Sequence, residues 1–80
     1  MFNPQAVAAA LKLVGIPVKN YTDGDGETDG EVLITKTLTV QVGNDYLALM
    51  KAHDDGDTFD MFPYRDNIDD LINDIQEALA

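Results

Sequence analysis

Asp66, Asp70, Asp74 and Glu77 recur at the spacing of one helix face, with Asp69 and Asn73 beside them. On an α-helix, residues four apart stand about 6 Å from one another along the axis, so these positions predict a ridge of regularly spaced negative charge. Acid–base work would need such carboxylates in a cleft; on a convex ridge they attract a basic surface instead. Helix stability accounts for only part of the ridge. Asp66, Asp69 and Asp70 fall in the first turn, where negative charge suits the helix dipole, but Asp74 and Glu77 lie toward the other end. Acids at i, i+4 also repel one another, and no Lys or Arg follows Arg65 to neutralise them. The arc is therefore expected to be exposed and to address a partner.

Two neighbouring stretches extend that expectation. Asp54, Asp55 and Asp57 occupy a turn just upstream and would supply a second acidic contact. Between turn and ridge, FDMFPY (residues 59–64) crowds Phe59, Met61, Phe62 and Tyr64 together, more apolar surface than one strand face buries. Aromatic residues and Met beside charge are typical of interface centres, which makes Phe62 and Tyr64 the expected apolar anchors. The competing reading puts Phe59 and Met61 in the core and the other two over the base of the last helix.

Other chemistry has less material. Counted from Asp25, D-G-E-T-D-G-E-V carries acids at positions 1, 3 and 5, Gly at 6 and an apolar residue at 8, as an EF-hand loop does. Position 12, a bidentate Glu in that motif, is Lys36 here, a cation where a ligand is required. The segment is expected to be a solvated loop, with no metal ligand set and no cofactor assigned. The chain has neither Ser nor Cys, and its one His, His53, sits next to Asp54 and Asp55 as a turn residue would. A carboxylate pair such as Asp54 and Asp57 lacks the chain length needed to build a concave site around it. The reading is non-enzymatic.

Composition sets the frame. Eighty residues suffice for a single small domain, residues 1–80, with one core. The formal net charge is −10, and it is segregated. Residues 1–22 hold Lys12 and Lys19 with no acid, residues 23–31 hold five acids with no base, and residues 54–77 hold nine acids against Arg65 alone. Direct binding of nucleic acid is disfavoured, since phosphates call for Lys and Arg; a basic protein surface is favoured. The start of the chain lacks a basic leader and Lys12 interrupts its apolar run, so neither a signal peptide nor a membrane span is read. The expected location is cytoplasmic.

The elements that must position these residues follow in order. Asn3 and Pro4 are a cap and a first helical residue. A helix is expected over residues 4–14, with Val7, Leu11 and Val14 buried and Gly15 as its stop. Residues 16–21 predict a first strand. Residues 31–42 alternate, with Val32, Ile34, Leu38, Val40 and Val42 on one face, and predict one long half-buried strand bent near Lys36. Gly43, Asn44 and Asp45 form a turn into a third strand over residues 46–53, and residues 58–64 form a fourth, at an edge because Pro63 ends it. Asp66 or Asn67 caps the last helix, whose Ile68, Leu71, Ile72, Ile75 and Leu79 make an apolar arc. The fold class is α+β: a two-layer sandwich in which N-terminal and C-terminal helices flank a four-stranded antiparallel meander.

The functional expectation is an acidic binding protein that blocks a basic, nucleic-acid-binding surface of a protein partner, with carboxylates standing in for phosphates. In kind, though by no shared motif, such a small, acidic, Cys-free chain is similar to phage-encoded inhibitors of host defence, including anti-CRISPR and anti-restriction proteins. The alternatives are a small structural or assembly subunit of a virion or oligomer, and a weak divalent-metal binder.

Overall fold

The computed structural model describes residues 2–22, 30–53 and 57–79. The first helix, α1, spans Pro4–Leu13, with the Asn3 side chain accepting a 2.8 Å hydrogen bond from the Ala6 amide. Its end is set by Gly15, whose φ of 85° is costly for any residue with a Cβ. That conformation lets the Ile16 amide donate to Leu11 O and the Gly15 amide to Lys12 O, satisfying carbonyls that the helix end leaves unpaired. Ile16 is thereby turned under the helix to join Leu11 in the core. Val14, expected in the buried stripe, is instead the exposed residue that caps the helix after Leu13, and Ala8 completes the stripe.

Five strands follow, where the alternation pattern predicts four. They are β1 (Asn20–Thr22), β2 (Gly30–Leu33), β3 (Leu38–Val42), β4 (Leu47–Ala52) and β5 (Phe59–Met61), joined in that order as an antiparallel meander. The extra strand arises because the stretch expected as one long strand reverses at residues 34–37. Thr35 Oγ1 accepts from the amides of Thr37 and Leu38, and the amides of Ile34 and Thr35 both donate to Leu38 O. The expected bend near Lys36 is thus a complete turn. The register pairs Val32 with Val40 and Leu33 with Thr39, so even-numbered residues face the same side before and after it. The first strand is also shorter than expected and begins four residues later, at Asn20, because Ile16 belongs to the helix end.

Both helices lie on one face of the sheet. Val32, Ile34, Leu38, Val40, Val42, Leu47 and Leu49 form that face and pack with Val7 and Leu11 of α1 and Leu71 and Ile75 of the second helix, α2 (Ile68–Leu79), in a single cluster. Each such side chain gains about 1.5–3 kcal/mol by leaving water, which fixes the side of the sheet that the helices cover. Among the described residues, no helix is long and apolar enough to cross a membrane.

The path from β5 to α2 matters most for the site. Met61 pairs with Met50, the Phe62 amide donates to Leu49 O, and the next closed pair joins Leu47 to Arg65 through two hydrogen bonds of 2.8 and 2.7 Å. Three residues on this segment therefore oppose two on β4, a bulge that includes Pro63, which has no amide to offer. The bulge turns Tyr64 out of the ladder and brings Arg65 back beside the sheet before the helix starts.

Candidate functional site: an acidic groove beside two stacked tyrosines

The groove is assembled by three local structures. In the turn between β3 and β4 the Gly43 amide donates to Tyr46 O at 3.0 Å, and the Tyr46 ring lies directly over Gly43, where any Cβ would overlap it. The bulge presents Tyr64, which is 66 % exposed and stacks on Tyr46 with ring centroids 4.9 Å apart and planes inclined by 26°. At the start of α2, Asn67 is the cap: its Oδ1 accepts from the Asp70 amide at 2.9 Å, and its Nδ2 donates to Asp66 Oδ1 and Asp70 Oδ2 at 3.1 and 3.0 Å. One side chain thus holds two carboxylates in place. Together with Asp45 of the turn they border an open groove of about 360 Å³ lined by Asp45, Tyr46, Tyr64, Arg65, Asp66 and Asp70.

Arg65 also lines the groove, but its guanidinium is held by Asp74. Nε donates to Asp74 Oδ2 at 2.8 Å and Nη2 to Asp74 Oδ1 at 2.9 Å, a bidentate fork of the strong, charge-assisted kind. The hydrogen bonds with Asp74 raise the Arg65 pKa above its ordinary value; loss of hydration opposes them, and the charges of Asp74, Asp70 and Glu77 add to the rise. The pair is internally balanced, which leaves the charge of Asp45, Asp66 and Asp70 directed at the groove.

The expectation for Asp74 is corrected here. It is 4 % exposed, buried with Leu71 and Ile75, and so cannot belong to an exposed ridge. The helix is rotated so that its buried face includes position 74, while Leu79, expected in the apolar arc, is left exposed. The missing stability reason for an acid at this position is Arg65, nine residues earlier in the chain. Phe62 is corrected as well: it packs against the core cluster, whereas Phe59 and Met61 are exposed. Alternation along β5 sends Asp60 and Phe62 toward the helices and the other two away, so Phe62 is not a free anchor.

Of the remaining expected contacts, Tyr64, Asp66 and Asp70 converge in the groove. Glu77 is exposed on α2 but outside it. Asp57 is exposed in the connection between β4 and β5, at the opposite end of β4 from Tyr46, and Asp54 and Asp55 lie outside the described residues. His53 is at that far end too, with Nε2 3.1 Å from Asp60 Oδ2. The loop read against the EF-hand pattern falls mostly on residues 23–29, also outside the described residues. Asp45 and Tyr46 escaped the sequence reading because both look like ordinary punctuation around a turn. The available signal was an acid and an aromatic residue in a turn opened by a glycine.

Chemically, the groove suits a planar organic cation. Carboxylates accept the parallel N–H donors of a guanidinium, and a tyrosine face attracts a cation within about 6 Å of the ring. Among the described residues, no three acidic or imidazole side chains come close enough to hold a metal ion. Gly43→Ala provides a check on how the groove is built. The added methyl must displace the Tyr46 ring, so the near-ultraviolet circular dichroism of the tyrosines is expected to change while the far-ultraviolet spectrum stays helix-and-sheet. Identical near-ultraviolet spectra would contradict the ring's placement. The chain matches no protein-family model, no curated protein and no solved structure.

Proposed function

We propose that this protein is a non-enzymatic binding module that occupies an arginine-rich, nucleic-acid-binding surface on a partner protein and so competes with nucleic acid. The observation that carries the reading is the groove itself, which Asp45, Asp66 and Asp70 line together with a stacked pair of tyrosines. Carboxylates take the place of phosphates, and the exposed Tyr64 ring takes the place of a base on which an arginine stacks. With Asp74 withdrawn into the ion pair, the mimicry is of a compact anionic site; an extended ladder of charge would have needed that position. Such a site favours arginine over lysine, because only the guanidinium combines a flat face with a forked edge.

Calorimetric titration with oligo-arginine and oligo-lysine peptides tests this. Oligo-arginine is expected to bind more tightly, and its affinity to fall about tenfold or more between roughly 50 and 300 mM salt as the charges are screened. Equal affinity for the two peptides would remove the role given to the tyrosines, and no binding at low salt would remove the function. A second reading, a small assembly subunit, is favoured by a separate observation: Phe59 and Met61, on the edge strand β5, are exposed.

A further inference from the structure

Arg65 gives the groove a donor edge as well as a structural support. It is one of the residues that line the cavity, and its side chain is one-third exposed, although the Asp74 carboxylate that holds it is only 6 % exposed. A guanidinium carries five N–H donors in a flat fork. The bonds to Asp74 use Nε and Nη2, the side of the fork next to the stem. The outer edge, formed by one N–H of each Nη, lies outside that pair of bonds. Asp74 is buried with Leu71 and Ile75, so the exposed third of Arg65 is the part turned away from them, toward the cavity it lines. The groove therefore offers two kinds of contact. The carboxylates of Asp45, Asp66 and Asp70 accept hydrogen bonds, and a cationic edge fixed in place by Asp74 donates them.

We infer that Arg65 determines which arginines the groove accepts: its outer edge donates to a main-chain carbonyl of the partner, so the groove takes an arginine borne on an extended segment and rejects one projecting from the middle of a helix. The inference rests on the groove reading proposed above and names the form of the partner. Charge selects a carbonyl as the acceptor. Asp74 already balances Arg65, and the charges of Asp70 and Glu77 act on it as well. A carboxylate brought to this edge would meet Asp45, Asp66 and Asp70 unopposed, whereas a neutral oxygen gains a hydrogen bond from a charged donor without that repulsion. Backbone conformation then selects the segment. Inside a helix each carbonyl is taken by an amide of the next turn, and only the last turn has carbonyls to give. An extended chain leaves its carbonyls without internal partners. The size of the cavity agrees, since about 360 Å³ is at the small end of ligand pockets and suits one side chain with the main chain that bears it. Basic arms of nucleic-acid-binding proteins, kept extended by their own repulsion, have this form.

Nuclear magnetic resonance titration of the full chain, read on the rings of Tyr46 and Tyr64, tests the inference with two small ligands: N-acetyl-arginine N-methylamide and n-butylguanidinium. Both carry the same cation on an alkyl chain, and only the first has main-chain carbonyls. The first is expected to bind about fivefold or more tightly. Arg65→Met with Asp74→Leu removes the donor edge without changing the net charge, and is expected to bring the two ligands within about twofold of each other. A second pair of ligands reads the segment. A proline-flanked arginine peptide, which is extended, is expected to bind wild type about fivefold or more tightly than an alanine-rich helical peptide with one central arginine. If the double variant does not fold, this pair decides the matter on wild type. Equal or absent binding of the two small ligands, a preference that persists in the double variant, or a helical peptide bound as tightly as the extended one overturns the inference. When oligo-arginine binds in the same experiment, that result leaves the groove reading intact; when oligo-arginine does not bind, both fall.

Discussion

Asp74→Lys is expected to lower Tm by about 15 °C or more, and to leave little folded protein at physiological temperature. The substitution puts an ammonium group where a nearly fully buried carboxylate now receives both arms of the Arg65 fork. Arg65 then faces a like charge, and neither cation has a buried partner. The backbone of Arg65 is also the last rung joining the bulged segment to β4, so the loss spreads from a side chain to the approach to α2. Asp74→Asn, which retains one acceptor, is expected to lose less. Arg65→Met combined with Asp74→Leu is expected to recover part of the stability, since the Asp74 end of the pair is buried while the Arg65 side chain is one-third exposed, and apolar replacements of buried ion pairs are often tolerated. Thermal denaturation followed at 222 nm reads all three variants, and a Tm for Asp74→Lys within a few degrees of wild type would contradict the buried pair.

The second large effect is on binding. Asp45→Lys with Asp66→Lys reverses two carboxylates of the groove that lie on exposed turns, away from the core. The Asn67 cap keeps its bond to the Asp70 amide, so the helix start survives and Tm is expected to change by only a few degrees. Oligo-arginine affinity, by contrast, is expected to fall about 100-fold, because two attractive contacts become repulsive ones. Asp70 is left untouched in this design, since it also takes part in the cap. Reversing Asp74 would test stability instead.

How far the sequence reached is clear from particular residues. Asn3, Pro4 and Gly15 mark both ends of α1 because capping and a left-handed stop are local chemistry, and local chemistry is written in adjacent residues. The α+β class was legible for a similar reason, as period-two and period-3.6 patterns sit side by side. The reversal at Thr35–Thr37 was hidden because the hairpin register keeps even-numbered residues facing the core through the turn, so alternation alone cannot distinguish one long strand from two. Asp74 was misplaced because a helical wheel contains only the helix, whereas the partner that justifies the acid arrives from the bulge before it. Phe59 and Phe62 exchanged roles for a related reason: Phe59 and Met61 of the edge strand have one parity and Phe62, just after it, has the other, so only the pairing with β4 decides which side meets the core. Tyr46 entered the groove through a contact with Tyr64, 18 positions away, which no local pattern encodes, and Asp45 came with it as its neighbour in the turn.

The central claim is that the groove, and not the net charge, recognises arginine. The direct measurement is a calorimetric titration of oligo-arginine into three proteins side by side: wild type, Asp45→Lys with Asp66→Lys, and Asp69→Lys with Glu77→Lys. The last pair makes the same change in net charge at exposed acids of α2 that do not line the groove. The account predicts that the groove variant loses about 100-fold in affinity while the matched variant stays within about fivefold of wild type. Equal losses in the two variants would contradict it.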